Sequence, residues 1–276
     1  APLGRMDFLG ARVVGCLLIF GTLWFSYRAL RAGWGEALAR FGILPAACFF
    51  ALSTHSQFVH YSSEHVSLLL LAVAVAGVLA AMAGDRMPRA WQPGWVGAGA
   101  ALGAIPFAKL QAVPPAAFLF LVAVIWAGTR RATALRARVA AIGGLLAGLW
   151  LVPLIFALLL TLGGSWENFW ISYLAQNLFY ADHGWVGATG PQVLRFLFLN
   201  SRAFGALLAG SLLAVLVLGW LGQRGREASR WPLGVLLGFA LTSIPACVTV
   251  NHYVHYLLFL VLPPVLLAGA VAAEKW

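Results

Sequence analysis

The sequence predicts an all-α polytopic membrane protein of about nine transmembrane helices, with the N-terminus outside and the C-terminus cytoplasmic. Three observations carry that expectation. Hydrophobic residues make up 62% of the 276-residue chain and charged residues only 9%, where a soluble domain carries roughly 25% charged. Apolar runs of about 20 residues recur, the length a helix needs to cross ~30 Å of hydrocarbon. The net charge of +10 is spread over alternate loops, as expected of a chain that keeps its basic loops cytoplasmic. That distribution accounts for the charge without nucleic acid.

The first span covers Ala11–Leu30 and is closed by Arg28 and Arg31. The second covers Phe41–Ala51 and extends toward Phe58, with Pro45 tolerated as a kink. Val66–Gly84 is the third, followed by the polar turn from Asp85 to Arg89. Gly94–Phe107 and Pro114–Gly128 are too long to be one helix and are separated by Lys109 and a Pro114-Pro115 pair. They form a hairpin of two short spans, because proline breaks the continuous helix. Val139–Leu162 is the sixth span and leads into the long loop Gly163–Pro191. Gln192–Leu221, Trp231–Val250 and Tyr256–Ala272 complete the set.

Charge bias orients these spans. One side gathers Arg28, Arg31, Arg40, Arg86, Arg89, Arg130, Arg131, Arg136, Arg138, Arg224, Arg226, Arg230 and Lys275, leaving Arg5, Arg12, Lys109, Arg195 and Arg202 for the other. The richer side is cytoplasmic. All six histidines then fall at the outer face, with Glu64, Glu167 and Asp182. Chemistry is expected there.

Cys16, Cys48 and Cys247 each sit in an apolar run and read as small buried hydrophobes, with no disulfide framework. Walker, GxSxG, HExxH and dinucleotide-binding patterns are absent from the sequence. Glycines such as Gly143 and Gly144 lie in apolar helices, where close packing explains them.

Three outer stretches are candidate sites. In HSQFVHYSSEH, His55, His60 and His65 recur every five residues, about 140° apart on a helix, so they share no face and predict no metal centre. A divalent metal is left open and no cofactor is called for. Glu64 follows Ser62-Ser63 at a helix start, which suits capping and the helix dipole. Its setting beside His60 and Tyr61 at a membrane boundary equally suits a substrate-positioning carboxylate. Lys109 at the hairpin tip either snorkels to the interface or meets a phosphate. Arg195 and Arg202, seven apart on one helical face, either clamp phosphate oxygens or pair with Asp182, Glu167 or lipid headgroups. In NHYVHY, His255 and Tyr256 either pack as an aromatic girdle or bond a polar substrate head.

The segments YSSEHVSLLLLA, PFAKLQAVPP, GSWENFW…NLFYADHG and VHYLLFLVLPPVLLAG resemble parts of the GT-C superfamily of membrane glycosyltransferases. The likeness is to its bacterial branch of protein O-mannosyltransferases and aminoarabinose transferases. It is diffuse and covers most of the chain. It implies a multi-pass protein of the bacterial inner membrane. Such an enzyme transfers sugar, with inversion, from a polyprenyl-phosphate donor to a glycan, lipid or protein acceptor at the periplasmic face. Glu64 then resembles the family's second acidic position and Lys109 a cation near the carrier phosphate. The family's key carboxylate lies in a first outer loop that has no counterpart here. The chain is therefore expected to be one GT-C-like domain lacking that loop and the helix before it. The alternative is a transporter or flippase of a lipid-linked or anionic solute, disfavoured by span centres nearly free of ionisable residues. Lys109→Ala is expected to harm donor use far more than folding.

Overall fold

The computed structural model describes residues 8–53, 56–84, 87–130, 133–177, 179, 205–213, 230–247 and 254–274. Every regular element among them is helical. The α-helices are α1 (Phe8–Trp34), α2 (Glu36–Gly42), α3 (Leu44–Leu52), α4 (Ser56–Val59), α5 (Ser63–Ala83), α6 (Pro93–Ala108), α7 (Val113–Thr129), α8 (Leu135–Leu162), α9 (Trp166–Phe169), α10 (Arg230–Cys247) and α11 (Leu262–Glu274). Residues 205–213 are also helical. A tight helical turn at Leu110–Ala112 joins α6 to α7, and a second at Val254–Leu260 leads into α11.

Among the described residues, four helical stretches are long and apolar enough to cross a membrane: Leu9–Trp34, Ser63–Ala83, Leu110–Thr129 and Leu135–Leu162. The expected second span is instead three short helices. α3 has nine residues, about 14 Å of rise, less than half the hydrocarbon thickness. The 16 residues of α6 reach about 24 Å. Leu233–Cys247 and His255–Val271 are apolar but also short. Most of the expected seventh span lies outside the described residues.

α5 is the centre of the bundle: 61% of its apolar stretch is buried, against 17% for α1 and 11% for α8. Leu68, Leu71, Leu79 and Val75 of α5 are fully shielded or nearly so. The outward faces of α1 and α8 expose Leu17, Phe20, Trp150, Leu154 and Leu158, as helices facing lipid do.

Close contacts set the helix directions. Gly15 meets the backbone of Val59 and Tyr61, and Gly21 meets Leu69, so α1 and α5 run parallel. Gly99 meets Leu145 and Gly148 while Gly103 meets Leu149, so α6 and α8 also run parallel. Arg130 at the end of α7 donates to the Gly84 carbonyl at the end of α5 (3.2 Å). Arg138 at the start of α8 donates to the Gly128 carbonyl (2.7 Å). Gly269 of α11 lies against Leu30 and Leu38, beside Gly42. These contacts collect Arg28, Arg31, Arg40, Arg89, Arg130, Arg136 and Arg138 at one end of the bundle, the basic end. The starts of α5, α7 and the Val254 turn lie at the opposite, polar end.

Cys247 is buried as expected, but Cys16 and Cys48 lie on outward faces. On a lipid-exposed helix face a cysteine needs no protein contact to be comfortable.

Candidate functional site

The polar end brings three separate stretches of sequence onto one carboxylate. Glu64 sits in the first turn of α5, where the positive end of the helix dipole favours an anion. Its side chain is 3% exposed. Lys109 occupies the break between α6 and the Leu110 turn, with an extended backbone (φ −163°, ψ 119°) that ends α6. Its Nζ lies 2.7 Å from Glu64 Oε1, and the ammonium side chain is 22% exposed. His255, 23% exposed, places Nε2 3.7 Å from the same oxygen. Lys109 and His255 thus form the open side and the carboxylate forms the back wall.

The Lys109 contact is an ion pair by distance and charge rather than an aligned hydrogen bond. Ser63 donates weakly to the other carboxylate oxygen at 3.4 Å. Lys109 Nζ also stands 5.3 Å from the centre of the buried Tyr256 ring, within cation–π range. The His255 and Tyr256 rings meet edge to face at 4.6 Å. In the same turn as Lys109, Gln111 Oε1 is buried and has no hydrogen-bond partner among the described residues.

A histidine clip supports the wall. His65 is 1% exposed. Its Nε2 lies 2.9 Å from the Phe58 carbonyl, and its Nδ1 lies 2.9 Å from Ser62 Oγ. A carbonyl only accepts, so Nε2 carries the proton and Nδ1 accepts from the Ser62 hydroxyl. Ser62 holds the N-cap position without capping through its side chain, because His65 takes the hydroxyl. Cys247 Sγ donates to the Tyr256 carbonyl (3.1 Å), tying the end of α10 to the Val254 turn.

The other expected site residues that are described lie outside this cluster. His60 pairs with Arg12 of α1 (Nε to Nε2, 3.4 Å) and does not join Glu64. Tyr61 is 41% exposed. Arg195, Arg202, His55, His183 and His252 fall outside the described residues. Among the described residues no group of three or more His, Cys, Asp or Glu side chains could hold a metal ion. His65 is occupied by the clip and His60 by Arg12.

The described part of the long loop packs on the hairpin. Phe107 stacks on Phe156 of α8 (4.3 Å), Phe169 stacks on Tyr173 (5.3 Å), and the Tyr173 hydroxyl donates to the Pro106 carbonyl. Burial raises the Tyr173 phenol above its ordinary pKa. Trp166 and Trp170 project outward from the same loop, as in an interfacial aromatic belt.

The Glu64–Lys109 pairing was not anticipated. A lone lysine in an apolar hairpin and a carboxylate at the start of an apolar helix are the signal that could have found it, since such groups pair when buried. Comparison with protein-family models, curated sequences and solved structures yields no match to this chain.

Proposed function

We propose that this chain is a membrane glycosyltransferase of the GT-C kind. It moves a sugar from a polyprenyl-phosphate donor to a glycan, lipid or protein acceptor, with inversion. The observation that carries the reading is the convergence of Glu64, Lys109 and His255 at the end of the bundle opposite the arginines. If basic loops stay cytoplasmic, the basic end faces the cytoplasm. The site then opens at the periplasmic face of a bacterial inner membrane.

In this reading Lys109 and His255 meet the carrier phosphate and stabilise the charge it gains as the sugar–phosphate bond breaks. The buried Gln111 oxygen is an acceptor suited to a sugar hydroxyl. Glu64 is engaged as counter-ion and is poorly placed to act as a general base. The carboxylate that activates the acceptor is not assigned to it. A transporter would hold its ligand near the bilayer midplane. Glu64 stands at the very start of α5, which favours the enzyme.

The test is transfer of radiolabelled sugar from polyprenyl-phosphate donors by the full chain in liposomes. A Glu64→Gln/Lys109→Met variant removes both charges together and so spares the fold. It is expected to lose transfer. Transfer at the wild-type rate in that variant would remove the site, and this reading with it.

A further inference from the structure

We propose that the mouth formed by Lys109 and His255 is a phosphodiester-binding site switched on by protonation of His255. The inference rests on the glycosyltransferase reading only for the identity of the lipid that carries the phosphate.

The argument is one of charge count and exposure. Glu64 and Lys109 are in contact at 2.7 Å and together carry no net charge. A neutral pair offers an incoming anion little long-range attraction. His255 is the remaining ionisable group in contact with this carboxylate among the described residues, and it stands on the open side with Lys109. When its ring takes a proton, the cluster carries one positive charge. Both cationic members are then partly exposed, 22% and 23%, while the carboxylate at 3% stays behind them. That arrangement matches a singly charged phosphodiester, which needs one net charge and donors on one side. When the ring is neutral, the site is a closed ion pair.

Among the described residues, the surroundings leave the switch to His255. From α5, Glu64 faces it, and His65 has both ring nitrogens engaged by Ser62 and Phe58. From the hairpin, Lys109 faces it. On its own turn Tyr256 lies edge to face. α10 brings the buried Cys247, already donating to the Tyr256 carbonyl. α4 has no ionisable residue, and α11 carries none before its last residue, Glu274. His252 lies outside the described residues.

The experiment uses the full chain in phosphatidylcholine nanodiscs. The probe is a short-chain isoprenyl methyl phosphodiester, whose own charge is constant between about pH 5 and 8, where histidine titrates. Binding is measured by calorimetry across that range. Wild type is expected to lose up to about tenfold in affinity per pH unit on the alkaline side, the slope of a single linked proton. His255→Gln is expected to bind weakly with a flat profile. His255→Lys, which stays charged, is expected to bind tightly with a flat profile. The opposed outcomes of two variants at one position separate a charge effect from a loss of fold.

A pH slope that persists in His255→Gln would overturn the proposal, as would failure of wild type to bind at any pH. Replacing part of the lipid with phosphatidylglycerol distinguishes two sources of the same chemistry. Competition assigns the site to a bilayer headgroup, lack of competition to an isoprenoid carrier, and either result upholds the site. Binding with the expected profile but no sugar transfer would refute the enzyme reading and leave this one standing. Transfer with no His255-dependent slope would do the reverse.

Discussion

At the scale of single residues, the polar end is governed by the cost of burying charge. Glu64 is held inside by Lys109, so removing the lysine alone strands a carboxylate with its charge largely uncompensated. Lys109→Ala is therefore expected to cost about 3 kcal/mol of stability, the low end for a broken buried pair because the ammonium keeps some solvent. The sequence-based expectation that this substitution would spare the fold is thus revised. Glu64→Gln/Lys109→Met should return to within about 1 kcal/mol of wild type. Denaturant unfolding of the two single variants and the double closes the cycle. Costs that simply add would show that the pair is not coupled. Glu64, Lys109 and His255 were each legible as ionisable groups at the edges of apolar runs. Their meeting was not, because contacts between residues far apart in the chain leave no local pattern. His60 illustrates the limit from the other side, since its neighbours in sequence suggested Glu64 and its partner in space is Arg12.

At the scale of elements, backbone contact decides what periodicity cannot. Gly99 on α6 meets Gly148 on α8, Gly103 meets the backbone of Leu149, and Gly144 meets that of Ala90 just ahead of α6, so small residues bring backbone against backbone. A Cβ at Gly99, Gly103, Gly144 or Gly148 would lie under 3.0 Å from a carbonyl oxygen or other backbone atom of the facing segment. Backbone does not yield as a side chain does, so Gly103→Ala is expected to destabilise by about 1–3 kcal/mol. Gly97 and Gly143, on the same two helices, have open space around them. Alanine there should be neutral or slightly stabilising, because it is the better helix former. Equal melting temperatures for Gly103→Ala and Gly97→Ala would discard the close-packed interface.

The corner between α1 and α2 was less legible. Gly35 turns it with φ 93°, a conformation open to glycine. Glu36 then gathers Tyr27 (2.7 Å), Arg31 (2.9 Å) and Arg40 (2.9 Å). The Tyr27 hydrogen bond first, then that of Arg40, holds the Glu36 carboxyl below its ordinary pKa. A lowered folded value stabilises the corner above the unfolded pKa, and that help is lost as pH falls through the folded one. Carboxyl NMR should show Glu36 titrating below a free glutamate. Titration at or above the ordinary value would dismiss the clamp.

At the scale of the whole molecule, composition and charge bias announced a helical membrane protein and the separation of arginines from histidines. Among the described residues the helix directions set His60, His65 and His255 opposite Arg28, Arg31, Arg40, Arg89, Arg130, Arg136 and Arg138. The second span was misjudged because apolar composition alone does not make a helix continuous. Gly35, the junction at Ile43 and the extended Ser53 divide that stretch into α2 and α3. The remaining question of sidedness has a direct answer. With the native cysteines replaced, Tyr61→Cys and Trp166→Cys place exposed thiols at or near the polar end, and Arg136→Cys places one at the basic end. The arginine-rich end should stay cytoplasmic, since that bias orients short loops. Tyr61→Cys and Trp166→Cys are therefore expected to react with a membrane-impermeant maleimide added outside intact cells, and Arg136→Cys only after the membrane is opened. Reaction of Arg136→Cys in intact cells would invert the molecule. The Glu64–Lys109–His255 cluster would then face the cytoplasm, where a periplasmic transfer could not use it.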